Sequence, residues 1–141
     1  MDECTFCRVA QGLIPAHVVR EDNDVLAFLD HRPLFLGHVL VIPRLHVPTL
    51  LELDDQLLTP IFATARMIAA AMGPALGAQG TFVAMNNAVS QSVPHLHVHV
   101  VPRQRGDGLR GFFWPRHRYG SDAEADEIVR KLRAVLEPSE G

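Results

Sequence analysis

The chain has 141 residues, which suits one domain with a real core and is too short for two cores of ordinary size. Its 48% apolar content and formal charge of −3 are those of a globular protein, and no stretch reaches the ~20 continuous apolar residues that cross a bilayer. Basic residues are dispersed, apart from Arg103, Arg105, Arg110, Arg116 and Arg118, which favours a small anionic ligand over a long nucleic-acid footprint.

Met1-Asp2-Glu3-Cys4 has no basic region followed by a long apolar run, so no secretory signal is expected and the expected location is the cytoplasm. Both cysteines, Cys4 and Cys7, follow at C-x-x-C spacing. In a reducing compartment that spacing is more often a metal half-site or a redox pair than a structural disulfide. Redox chemistry of the thioredoxin kind needs the pair between a strand and a helix. No strand precedes it here, which favours the metal.

Residues 18–21 and 25–29 are β-prone runs separated by Asp22-Asn23-Asp24, a hairpin pattern. Gly37 opens the apolar run 38–42, His38-Val39-Leu40-Val41-Ile42, which Pro43 closes, as in a central strand covered on both faces. Over residues 54–76 the apolar positions recur at three and four, the helical period. Pro60 then leaves two options: a helix starting near Thr59, or one that bends at the proline. Residues 81–85 and 95–101 read as two further strands, joined by the polar loop 86–92. Ser121-Asp122-Ala123-Glu124 reads as a capping box that opens a helix over 122–136. Strands around one long helix, with connections too short for several parallel crossovers, predict an α+β domain with a mainly antiparallel sheet.

The strand at 95–101 contains His95-Leu96-His97-Val98-His99. Alternation puts the three imidazoles on one face and Leu96, Val98 and Val100 on the core face. Neighbouring histidines should then stand roughly 6.5 to 7 Å apart at Cα, a row rather than a cluster. Three uses compete. Two of the histidines could hold a catalytic zinc whose bound water attacks; an imidazole could itself attack phosphorus; or the row could only bind phosphate. Gln91 and Ser92, just before the strand, are donors that the second and third uses require.

Together with Val25-Leu26-Ala27-Phe28-Leu29-Asp30, Gly37-His38-Val39-Leu40-Val41-Ile42-Pro43, His46 and Gln91-Ser92-Val93, this histidine run resembles the histidine triad (HIT) superfamily over most of the chain, from Cys4 to about Arg103. The resemblance implies a five-stranded sheet-and-helix domain over about 4–103 with a C-terminal extension over 104–141, pairing as a homodimer. It implies attack on the α-phosphate of a purine nucleotide or nucleotide conjugate, with His97 as nucleophile through a nucleotidyl-histidine intermediate. His99 would contact the phosphate, and Gln91 and Ser92 would hold phosphate oxygens or the leaving group. Asp30 matches a ribose contact. Asn86, or Asn87 in the alternative register, matches an asparagine near the phosphate, and Ile14, Phe28 and Leu29 a base pocket. Members with an N-terminal C-x-x-C hold a structural zinc, which here would fall to Cys4, Cys7, His46 and His95 and would orient His97 through the histidine strand.

Two features depart from the family pattern. The loop 86–92 is shorter than is common, and Ser90 stands where glycine is frequent. The segment 108–116, with Phe112, Phe113 and Trp114, is read either as reaching a substrate or as packing. Two other function classes stay open: a nucleotide-binding or scaffold dimer with little turnover, and a zinc hydrolase using His97 and His99 as ligands.

Overall fold

The computed structural model describes residues 3–110 and 116–136. Close contacts group the chain into one unit ending at Asp107 and a second from Gly108 onward. The first unit carries a five-stranded antiparallel sheet in the order β1-β2-β3-β5-β4. Strands β1 (Val18–Glu21) and β2 (Val25–Leu29) form the expected hairpin. Its turn is closed by Asp22 Oδ1, which accepts from the amides of Asp24 and Val25 at 2.8 Å each. The central strand β3 (Val39–Pro43) is buried along its whole length, as its unbroken apolar run requires. Beyond it lie β5 (Val98–Arg103) and the edge strand β4 (Gly80–Ala84).

Helix α2 (Asp55–Leu76) lies across one face of the sheet. Asp54 caps it by accepting from the Gln56 amide at 3.0 Å, and Gly77 ends it in the left-handed region at φ 71°. Pro60 lies inside the helix, so the start near Thr59 is not the one adopted. An interior proline costs about 3 kcal/mol. The buried stripe Ile61, Ala65, Ile68 and Met72 packs with Val25, Ala27, Val39, Val41, Leu96, Val98 and Val100. Ile61, Ile68 and Met72 each contribute about 1.5–3 kcal/mol, enough together to carry the helix through Pro60. By length and composition alone α2 could cross a membrane, but this stripe is the one that faces the sheet.

The opposite face holds a short helix, α1 (Thr5–Ala10), whose Phe6 and Val9 pack on Leu26, Phe28, Leu40 and Ile42. This is the face to which alternation sends the histidines.

The histidine strand begins later than its sequence pattern indicates: pairing starts at Val98, with Val98 opposite Val41 and His99 opposite Leu40. Continuing that register would put Pro43 opposite Leu96, and proline has no N–H to donate. The amide of Leu96 goes instead to the Val47 carbonyl at 2.7 Å, and that of His95 to Val93 at 2.8 Å. Residues 95–97 therefore lie outside the ladder, yet Leu96 joins Val98 and Val100 in the core, so the alternation survives.

In the second unit α3 (Asp122–Leu136) keeps the expected bounds. Ser121 Oγ accepts from the Glu124 amide at 3.1 Å, while the Glu124 carboxylate takes the Gly120 amide rather than that of Ser121. Phe112, Phe113 and Trp114 lie outside the described residues.

Candidate active site

Cys4, Cys7, His46 and His95 converge, although they come from the N-terminus, the segment after β3 and the approach to β5. Their four ligand atoms lie within 4.8 Å of one another. His95 Nδ1 is 3.4 Å from both sulfurs, and His46 Nδ1 is 3.3 Å from Cys7 Sγ. A tetrahedral zinc, with bonds of about 2.3 Å to sulfur and 2.0–2.1 Å to nitrogen, would place neighbouring S and N about 3.5 Å apart. Around His95 the protonation fits as well: its Nε2–H donates to the Pro43 carbonyl at 2.8 Å, which leaves Nδ1 as the free ligand. Cys4 Sγ caps α1 by accepting from the Cys7 amide. Burial first, and then neighbouring Cys4, pushes the Cys7 thiol up to about 11, so thiolate at this position requires a cation. The donor set is compatible with zinc.

His97, 5% exposed, lies just beyond this cluster. Its Nδ1–H donates to the His95 carbonyl at 2.8 Å, so the ring's lone pair is on Nε2. The tautomer of His97 is thus set by the main chain of a residue whose side chain belongs to the Cys2His2 cluster. The row predicted from strand spacing divides here. His95 turns to the cysteines, while the rings of His97 and His99 approach to 5.0 Å between centroids.

His99 has a partner that sequence reasoning missed. The Leu34 amide donates to His38 Nδ1 at 3.1 Å, which places the His38 proton on Nε2, and that proton goes to His99 Nδ1 at 2.9 Å. His99 therefore keeps its own proton on Nε2, as a donor beside His97. His38 is 3% exposed and had been read only as part of the β3 run. The available signal was a polar side chain opening an otherwise apolar strand. Asp30, His38 and His99 also converge within 4.8 Å. The nitrogen of His38 that would have to bind a cation is, however, the one carrying its proton, so these three read as a hydrogen-bonded set.

Burial lowers His38, and burial with the neighbouring His97 and His38 pushes His99 down to about 4. For a histidine held low in the fold, the unfolded chain takes up the proton first. Stability is then complete above about 6.5 and is lost as pH falls from there towards 4. Urea titrations of wild type and His99→Gln between pH 7 and 4.5 should show the shallower pH slope in the variant, by up to about one proton.

Asp30 sits beside this set. Its amide donates to the His38 carbonyl and its Oδ1 accepts from the Arg32 amide, both at 2.9 Å, with Oδ2 3.7 Å from His38 Nε2. Phe28 and Ile14 belong to the apolar group under α1, on the histidine face. Leu29 does not join them: the next residue in an alternating strand points to the other face, and it is 37% exposed.

The loop 86–92 is braced internally. Gln91 Nε2 donates to the Pro48 carbonyl at 2.7 Å while its Oε1 accepts from the Ala88 amide at 2.9 Å, so both ends of its side chain hold the loop. Asn86 Nδ2 donates to Ser90 O, and Asn87 Oδ1 accepts from the Leu50 amide, in the 3-10 turn Leu50–Glu52. Ser92 is exposed. Ser90 has φ 63°, the left-handed region, which gives a physical reason for a glycine there. Ser90→Gly should raise stability to chemical denaturation by about 0.5–1 kcal/mol.

The fold and site define a class: a small antiparallel α+β domain with a polarised histidine pair beside a Cys2His2 cluster. A sequence model of the HIT domain matches residues 11–106, and the chain belongs to that family. It is 33% identical to adenylylsulfatase HINT3 of Arabidopsis thaliana, over 96% of this chain and 70% of that protein. It is 32% identical to adenosine 5'-monophosphoramidase hnt1 of Schizosaccharomyces pombe, over 92% and 98% of the two. Among solved structures it resembles a Zn-bound histidine triad family protein from Mycobacterium smegmatis, with TM-score 0.74, 34% identity and 99% of each chain covered.

Proposed function

We propose that the protein is a nucleotidyl hydrolase or transferase in which His97 attacks the α-phosphorus of a purine nucleotide conjugate. The observation that carries this reading is the hydrogen bond from His97 Nδ1–H to the His95 carbonyl, which aims the lone pair outward on Nε2. His99 Nε2–H, held in that tautomer by His38, donates to a phosphoryl oxygen as charge builds there. Asp30 takes the ribose hydroxyls, and Phe28 and Ile14 form the apolar floor for the base. Asn86 and Ser92 reach the phosphate from the loop, and Gln91 holds that loop in shape.

Zinc at Cys4, Cys7, His46 and His95 supplies structural cross-linking, since four protein ligands leave no position for substrate. The relatives' names, an adenylylsulfatase and an adenosine phosphoramidase, support adenylylated compounds with small leaving groups as substrates. The same family reading pairs two copies, supported by the exposed Phe62 and Met67 on α2 and Val83 on the edge strand β4. The two free cysteines fit a reducing compartment such as the cytoplasm.

Intact-mass spectrometry after rapid quench tests the reading, with adenosine phosphoramidate, adenylyl sulfate and diadenosine polyphosphates as the panel. A mass increase of one nucleoside monophosphate is expected with at least one of them. Absence of both adduct and turnover across the panel would favour a nucleotide-binding dimer.

A further inference from the structure

We propose that Phe6 is a positioning residue for the nucleophile, and that its ring supports the positive charge His97 acquires when Nε2 bonds to phosphorus. The inference rests on the covalent reading above. Phe6 lies between the two cysteines on α1, is 8% exposed, and meets three rings. Its centroid is 5.0 Å from that of His97 at an interplanar angle of 85°, 6.0 Å from His95 at 76°, and 5.5 Å from Phe28 at 75°. The perpendicular contact with His97 adds a second restraint on the imidazole plane beside its main-chain hydrogen bond.

The charge has to be met by something. As Nε2 gives its lone pair to phosphorus, the bond from phosphorus to the leaving group breaks and the leaving group departs with that electron pair. The Nδ1 proton stays in its bond to the His95 carbonyl, so the ring becomes an imidazolium. The His95 carbonyl, Phe6 and His99 lie against the His97 ring, and none of these three is a carboxylate. A cation over the face of an aromatic ring, within about 6 Å of its centroid, is stabilised by the ring's quadrupole, more strongly where water is excluded. A perpendicular pair that turns the imidazole edge to the Phe6 face meets that requirement. In the second step water oxygen bonds to phosphorus, the N–P electron pair returns to the ring, the water's proton passes to solvent, and the charge that Phe6 supported is discharged.

The geometry also explains why a six-residue helix with few contacts of its own is tied down at Cys4 and Cys7: the same anchoring delivers Phe6 to the nucleophile.

The test replaces Phe6 site-specifically with mono-, di- and trifluorinated phenylalanines, which withdraw ring electrons while keeping the ring's shape. The rate of nucleotidyl adduct formation is followed by quench-flow mass spectrometry, with zinc content measured alongside. Stepwise slowing, about 3- to 10-fold across the series, at unchanged zinc content is expected. Phe6→Leu should retain zinc and slow the same step. A constant adduct rate through the fluorinated series would overturn the inference while leaving the covalent mechanism standing. No adduct on the wild type would overturn both.

Discussion

His97→Ala should abolish the nucleotidyl adduct and lower turnover by at least about 10,000-fold, while nucleotide affinity stays within about threefold. The size of the loss follows from the role: without the imidazole no covalent step is possible, and the remaining hydrogen-bond donors can only polarise the phosphate for water. Affinity is spared because the groups assigned to base and ribose, Phe28, Ile14 and Asp30, lie elsewhere on the same face. Zinc content should also be unchanged, because His97 contributes no ligand to the Cys4, Cys7, His46 and His95 cluster. Stopped assays, isothermal titration and metal analysis on one preparation read all three quantities. Turnover close to wild type would support the binding-dimer reading. Joint loss of activity and a bound metal would support His97 and His99 as ligands of a catalytic zinc.

The second large effect is at the metal cluster. Cys7→Ser should release zinc and lower stability by about 3–5 kcal/mol, shifting Tm down by roughly 10–15 °C, and a strong chelator should do the same to the wild type. Structural zinc sites in small peptides supply more than this, but here the sheet and α2 form a core of their own. Loss of the ion would unfasten α1, the approach to β5 and His46 together, so activity should fall with metal content. Because the Cys7 thiol is held up to about 11 without a cation, binding must release its proton, and zinc affinity should weaken as pH falls. Calorimetry with and without chelator measures the first effect, and competition with a chromophoric chelator at two pH values the second. A variant that binds no zinc yet melts with the wild type would show the cluster to be dispensable.

Much of the architecture was legible because it rests on local patterns. The Asp22-Asn23-Asp24 turn, the unbroken run Val39-Leu40-Val41-Ile42 and the alternation of Leu96, Val98 and Val100 each encode their place without reference to distant residues. The Cys2His2 set came from a family resemblance, and the structure brings its four members together.

What was missed depends on partners far away in sequence. Helix α1 is too short to show a period, and it is held by a sulfur cap and by packing under Phe28 and Leu40. The late start of β5 comes from Pro43, on another strand, having no N–H to offer. His38 gains its role only through the Leu34 amide and His99, which the fold brings to either side of its ring. The sequence also did not indicate that the Gln91 side chain meets the Pro48 carbonyl and the Ala88 amide, partners set by the loop's path. The capping box at Thr49 and Glu52 was in plain sight in the sequence and went unread.

The central claim is that phosphoryl chemistry passes through a bond to His97, and the stereochemical course at the α-phosphorus tests it most directly. With an adenylyl substrate made chiral at that phosphorus, two successive in-line displacements give product with net retention of configuration. Net inversion would mean that water attacks in a single step, and would contradict the account.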